Sequence, residues 1–462
     1  MKQASHWKSP STPDSSSLRR GLSAPLLERH SLEVALPLVL LLVLAFFYFE
    51  IATHLGLGSH DGGPDEIARA LLPQAISNGN LLPNGYDPEV TYKLGYYSYA
   101  FYPQVLPAYV SAVFMAAAKA LSLSPEAVFV WGRFASIVFS MVTLVSVSLT
   151  VREVATAISR GDNTPLLFQC AALVVLGFWP EYAFLSSYIN NDIASLAGLA
   201  LMLLSLVRGA RQGWNMGRTV LMSAGIVVSA LSYLNVYPFI LITIVLFLIS
   251  MRKQKHSSQL VVLAVVLCAV CTFPFFTVNY LRYGDLIGMK AFGERYQQWL
   301  ADGGRVLMVP YDKGYASLIF ESDWIQNTYW SFIGMFGYMT IRIPFAFCLF
   351  YSGVITLGVG AFCSSLGRIG NQARYLVVVC ALACLLTVLL AMYRSVSTDY
   401  QPQGRYVIQI LLPMVIAMGS GYSLVFTTKQ SKVMLVVFCV MYACVTVLIF
   451  WHYATAFNWH GL

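Results

Sequence analysis

"QVLPAYVSAVFMAAAKAL", Gln104 to Leu121, is the stretch on which the topology of this chain turns. It is apolar enough for a membrane helix, yet short for a crossing of about 20 residues, and it carries Pro107 and Lys119. Counted as a crossing, it throws two basic segments, "VREVATAISRGDN" (151–163) and "RGARQGWNMGR" (208–218), to the outer face. Laid flat in the outer interface, it returns both to the inside, where short basic loops belong. The interfacial reading is therefore adopted.

Working outward from that choice, apolar runs recur along the whole chain. Of 462 residues, 58% are apolar and 11% charged, against about 25% charged in soluble domains. The mean hydropathy is +0.66, and most of the long runs lack the polar stripe of a soluble core helix. The chain reads as an all-α polytopic membrane protein. Eleven spans are expected near 33–55, 127–151, 164–184, 192–208, 218–235, 236–251, 258–280, 343–363, 375–393, 405–427 and 433–452. Residues 1–30, rich in Ser, Pro and Arg, read as a disordered cytoplasmic tail, and 31–462 as one transmembrane domain. The first span is too long, and lacks the small-residue cleavage site, for a removed signal peptide.

This threading sends Arg152, Arg208, Arg211, Arg218, Arg252 and Lys253 inside, and Asp65, Glu66, Asp87, Asp192, Asp285 and Asp323 outside. The net charge of +8 is then an orientation signal and no argument for nucleic acid. The nine cysteines lie in or beside apolar runs with no metal spacing, so no disulfide framework is implied. Two outer segments, about 56–126 and 281–342, are long enough to be binding surfaces or lids. No P-loop, GxGxxG before a helix, HExxH or GxSxG occurs, which leaves nucleotide-driven and hydrolase chemistry without support.

Three polar clusters fall at outer span ends. "GSHDGGPDEIARALL" (58–72) holds Asp61, Asp65 and Glu66. Pro64, Asp65 and Glu66 make a good first helical turn, so capping alone explains one carboxylate. The functional alternative is a general base or metal ligand whose basicity is raised by partial desolvation; Asp61 reads as solvated. "SSYINND" places Asn191 and Asp192 where either an N-cap or a second acid site would sit. "STDYQPQGRYVIQILLP" puts Arg405 and Tyr406 at the start of a span. Arg405 is either a headgroup anchor or a planar clamp for phosphate, with Arg282 and Lys93 as further outer cations. The run "YKLGYYSYAFYP" (92–103), including Tyr97, is either an interfacial aromatic belt or a stacking surface for a sugar or prenyl chain.

In this order the pieces resemble the GT-C superfamily of integral-membrane glycosyltransferases. "GPDEIARALLPQAISNGNLLP" is similar to the first outer loop of the lipid A aminoarabinose transferases and protein O-mannosyltransferases, where an acidic motif opens a helix lying on the membrane. The 104–121 helix matches the second interfacial helix of that architecture, and "YINNDIASL" the acidic motif of its second outer loop. A nearer resemblance is to the bacterial domain-of-unknown-function family 2142, through Pro-Asp-Glu, "WGRFASIV" with Arg133, the NND loop, "SFIGMFGYMTIRIP" and "QGRY". The oligosaccharyltransferase WWD-type motif is missing, which speaks against N-glycosylation.

The resemblance implies a GT-C-like fold in a bacterial inner membrane, with the N-terminus cytoplasmic and the site facing outward. It implies inverting transfer from a polyprenyl-phosphate-linked sugar donor to a glycan or lipid acceptor. Asp65 would then be the base, with Glu66 and Asp192 in support or, for Asp65 and Asp192, holding a divalent cation. Arg405, Arg282 and Lys93 would meet the lipid phosphate, and Asn191, Tyr97 and Tyr406 other parts of the substrate. The alternative is a transporter or flippase of a lipid-linked glycan, which needs polar groups at mid-membrane; the proposed spans carry almost none there.

Overall fold

Nine helical stretches among the described residues are long and apolar enough to cross a membrane. They belong to a computed structural model that describes residues 23–57, 62–158, 165–252, 254–367 and 371–454. Asp61 and residues 1–22 of the expected tail lie outside these. The first helix, α1 (Ser23–His54), begins inside the segment expected to be disordered. Ser23 and Pro25 are helix-starting residues, and the helix runs on through the polar 28–33 into the apolar stretch.

After α1 come two short helices, α2 (Glu66–Ser77) and α3 (Leu106–Ala120), then α4 (Pro125–Gly132) and α5 (Phe134–Ile158). The chain continues through α6 (Pro165–Gly177), α7 (Pro180–Leu185), α8 (Asp192–Gln212), α9 (Met216–Ala230), α10 (Tyr237–Met251) and α11 (Ser257–Tyr283). A second outer segment holds α12 (Met289–Ala301), α13 (Gly314–Phe320), α14 (Trp324–Ile333) and a hairpin of β1 (Met335–Phe336) with β2 (Ile341–Arg342). The chain closes with α15 (Phe345–Ser364), α16 (Asn371–Ser397), a 3-10 turn over Gly404–Ile410, α17 (Leu411–Val425) and α18 (Lys429–Ile449).

Two of the eleven expected spans are shorter than a crossing demands: α6 has 13 residues and α9 has 15. Both still run between the two ends of the bundle. The chain that leaves α6 through α7 reaches Tyr188, whose carbonyl accepts from Ser136 Oγ at the start of α5. At the far end of the bundle Arg208 and Arg211 of α8 bind Glu153 near the end of α5. The chain then returns along α9 to Ser232, whose carbonyl accepts from Asn191 Nδ2 at the start of α8.

The helix at 104–121 stays at one end, as the charge argument required. Leu106 N donates to the Leu231 carbonyl just beyond α9, and Met115 further along packs with Ala70, Val128 and Ile189. Lys119 Nζ reaches back to Ser77 Oγ and Asn78 Oδ1, each at 2.6 Å, clasping α3 to the end of α2. Pro107 stands in the first turn of α3, where its missing N–H costs nothing, whereas Pro73 lies inside the short α2.

Between apolar helices in lipid, close backbone approach replaces hydrophobic drive. Where α15 meets α17, a Cβ at Gly421 would come 2.0 Å from the Gly358 carbonyl oxygen. Gly421→Ala must therefore push the two helices apart. A loss of about 1–3 kcal/mol is expected, read as a lowered melting temperature in detergent.

Candidate active site

The end of the bundle that carries α2 and α3 gathers the starts of α5, α8 and the 3-10 turn. The turn owes its path to "QGRY". A Cβ at Gly404 would lie 2.0 Å from the backbone nitrogen of Phe332, so only glycine lets this segment pass the end of α14. Seven residues is long for a 3-10 helix, and Arg405 sits inside it.

Arg405 is 5% exposed and donates from Nη2 to Asp65 Oδ2 at 2.8 Å. Its guanidinium also lies over the Tyr406 ring, 5.2 Å from the centroid, and Arg394 stacks on the same ring at 5.6 Å. Nε and Nη1 of Arg405 are buried without an acceptor among the described residues. Asp65 occupies the N-cap position of α2, but its side chain makes no capping bond. Capping is therefore not what this carboxylate does. Its backbone has φ 62°, a left-handed conformation that costs non-glycine residues energy and recurs at functional sites. Tyr338, at the tip of the β1–β2 hairpin, accepts the Asp65 amide at 3.3 Å.

A cation the sequence reading passed over completes the cluster. Arg69, one helical turn after Asp65, is 6% exposed and stacks 4.4 Å from the Tyr99 centroid and 5.9 Å from that of Tyr233. Both Asp65 and Asp192 act on it, and its Nε and Nη1 lack acceptors among the described residues. The i, i+4 spacing of Asp65 and Arg69 was a readable signal for two charges on one helix face. Asp192 is fully buried at the start of α8, and neither carboxylate oxygen accepts a hydrogen bond from another described residue. The capping role expected of this motif falls instead to Asn190, whose Oδ1 accepts from Ile193 N at 3.0 Å.

Burial pushes the Asp65 carboxyl up, but Arg405, Arg69 and Arg394 outweigh it and hold it below the ordinary carboxylate range. The expectation of raised basicity is thus overturned for the protein without substrate. Because the folded value is lowered, the pair's contribution to stability is present above the ordinary carboxylate pKa. It is lost as pH falls through the lowered value.

Other expected residues are placed elsewhere. Glu66 is buried and accepts from Arg133 Nε and Nη2 at 2.8 Å each, from Ile189 N at 2.9 Å and from Gly63 N at 3.4 Å. Four donors use up the lone-pair directions of a carboxylate, so Glu66 has none left for a substrate. Arg133 spends its remaining N–H groups on the carbonyls of Ala52, Leu55 and Gly56, at 2.7 Å each. Arg282 donates to the carbonyls of Pro83 and Leu82 at 3.1 Å, tying α11 to the first outer segment. Lys93 is exposed at a turn and has no hydrogen bond or ion pair among the described residues. Asn191 bridges the carbonyls of Gln104 and Ser232. Tyr97 packs edge-on against Tyr99, the ring under Arg69, at 4.7 Å and against Phe292 at 5.1 Å. Glu181, not anticipated, is buried on α7, where it accepts from Met335 N at 3.4 Å and faces Arg405 and Asp192.

The residues suit a divalent cation poorly. Among the described residues no three His, Cys, Asp or Glu side chains converge. Asp65 is engaged by Arg405, and an ion beside Asp192 would share its field with the guanidiniums of Arg69 and Arg405. The unmatched groups instead ask for an anion opposite the arginines and a hydroxyl or ammonium donor opposite Asp192.

No protein-family model matches the sequence, and no curated protein does either. Solved structures do match. ArnT from Cupriavidus metallidurans, in a crystal structure with undecaprenyl phosphate, superposes with a TM-score of 0.52 at 13% identity. The match covers 89% of this chain and 64% of that one. The archaeal oligosaccharyltransferase AglB from Archaeoglobus fulgidus, in complex with an inhibitory peptide and a dolichol-phosphate, gives 0.53 at 14% identity, covering 91% and 56%. This chain thus spans less than two thirds of either protein's length. The fold is of the GT-C type, in a multi-pass membrane protein.

Proposed function

We propose that this protein is an inverting GT-C-type glycosyltransferase. It moves a sugar from a polyprenyl-phosphate-linked donor to a glycan or lipid acceptor. The observation that carries this reading is the cluster itself: buried guanidinium N–H groups of Arg69 and Arg405 without acceptors among the described residues, beside Asp65 and Asp192. It lies at one end of an apolar bundle whose fold neighbours hold polyprenyl phosphates. By the positive-inside argument this end faces outward from a bacterial inner membrane, with the N-terminus inside. The motif resemblance to family 2142 is consistent with the same reading.

The donor's isoprenoid tail stays in lipid while its phosphate meets Arg405 and Arg69. Asp65 takes the proton of the acceptor hydroxyl, whose oxygen attacks the anomeric carbon from the face opposite the phosphate. The sugar–phosphate bond breaks, and the departing charge is held by buried guanidiniums already in place. The same phosphate corrects the low proton affinity of Asp65. An anion beside Arg405 and Arg69 offsets their pull on the carboxylate and raises its affinity for a proton. Asp192 accepts from a sugar hydroxyl, and Glu66 and Arg133 position α2. Arg282 and Lys93 are left out of phosphate binding.

Binding of polyprenyl phosphate to the purified protein, followed by native mass spectrometry, tests this. Arg405→Ala removes charge-assisted hydrogen bonds of about 1.5–3 kcal/mol, so retention should fall roughly tenfold to a hundredfold. Equal retention by the variant would remove Arg405 from the phosphate site. Movement of a lipid-linked glycan between leaflets without release of polyprenyl phosphate would favour a transporter instead.

A further inference from the structure

A second polar site lies at the opposite end of the bundle, where α5, α8 and α9 converge. A recess of about 310 Å³ is lined by Glu153, Arg208, Gln212, Asn215, Gly217, Arg218 and Leu221. Arg208 Nε bonds Glu153 Oε1 at 3.3 Å, and Arg211, at the rim, bonds Oε2 of the same carboxylate at 2.6 Å. Arg218 also lines the recess, donating to the Gly213 carbonyl and to Gln212 Oε1, both at 2.5 Å. Among the described residues, three guanidiniums therefore gather around the recess with one carboxylate, an excess of two positive charges. A topological signal needs cations at this end but no walled recess. Nearby, Arg152 pairs with Glu33 at 2.7 Å.

Position and shape narrow the ligand. The recess sits where α8 ends and α9 begins, the depth at which helix termini of a spanning bundle meet lipid headgroups. Directly beside it, Met216 and Val220 of α9 are exposed, and Leu221 forms part of its wall. An anion at the arginines would thus have an apolar surface next to it for chains. We propose that this recess binds the phosphate of an anionic phospholipid headgroup, its acyl chains lying along α9. Basic pockets between helices on the cytoplasmic side serve lipid headgroups in this way. The inference stands apart from the transferase reading.

The full-length protein is incubated with mixed micelles of phosphatidylglycerol or phosphatidylcholine and analysed by native mass spectrometry. The wild type should retain phosphatidylglycerol at least tenfold better. Arg208→Gln/Arg218→Gln should lose that preference, and Arg218→Gln alone most of it, should the double variant fail to fold. Glu153→Gln removes the competing carboxylate and should strengthen retention. A purely structural Glu153 would not move it in that direction. No preference in the wild type, or weaker retention by Glu153→Gln, would overturn the site. Displacement of the lipid by soluble glycerol phosphate at equal concentration would assign the recess to a free phosphate compound and overturn the lipid assignment.

Discussion

Asp65→Asn should lower turnover by about 10²–10⁴-fold, the usual worth of a positioned general base, while the protein still inserts and folds. Asparagine is the informative substitution for a reason visible in the backbone. Residue 65 has φ 62°, and Asn, like Asp, tolerates the left-handed region, whereas Ala would add strain to the loss of the carboxylate. Its amide oxygen can still accept from Arg405, so the 2.8 Å contact survives without the charge. Only the ability to take a proton is removed. Binding of polyprenyl phosphate should hold or tighten, because a carboxylate that competes for Arg405 and Arg69 is gone. The measurement is release of polyprenyl phosphate from a labelled donor, with binding assayed in parallel. Undiminished release would sink Asp65 as the base. Lost release together with lost binding would show that Asp65 shapes the phosphate site instead.

The largest effect on stability should come from Arg133. Its five N–H groups bind Glu66 and three carbonyls at the end of α1, and both side chains are buried. Removing one partner of a buried pair costs about 3–5 kcal/mol, since the other charge stays uncompensated. Arg133→Met and Glu66→Ala should each fold poorly or melt far below the wild type in detergent. Replacing both by apolar residues is often neutral elsewhere, but here the carbonyls of Ala52, Leu55 and Gly56 would lose their donors. The double variant Glu66→Leu/Arg133→Met should therefore remain destabilised. A double variant that melts with the wild type would refute the view that this pair anchors α2 to α1.

These two residues of one dipeptide, Asp65 and Glu66, mark the limit of what sequence can separate. Both are acids at a helix start, and local chemistry ranks them equally. One turns toward Arg405, 340 positions along the chain, and the other toward Arg133, 67 positions along. Arg69 could have been read from its helical spacing to Asp65. The loss of Lys93 and Arg282 from the cluster could not, because a cation at a span end looks the same whether it faces a chamber, a carbonyl or water. Glu181 and Tyr338 gave no local sign, since each is placed by the contact between α7 and the hairpin.

What the sequence by itself determined was the class, the positions of the long apolar helices and the flat placement of the 104–121 helix. Those follow from hydrophobic length and charge distribution, which act on each segment separately in a bilayer. The tertiary structure decided which carboxylate meets Arg405 and which is spent on Arg133, and which arginines lie together. Such choices depend on directional hydrogen bonds between segments far apart in the chain, and these exist only once the helices have packed.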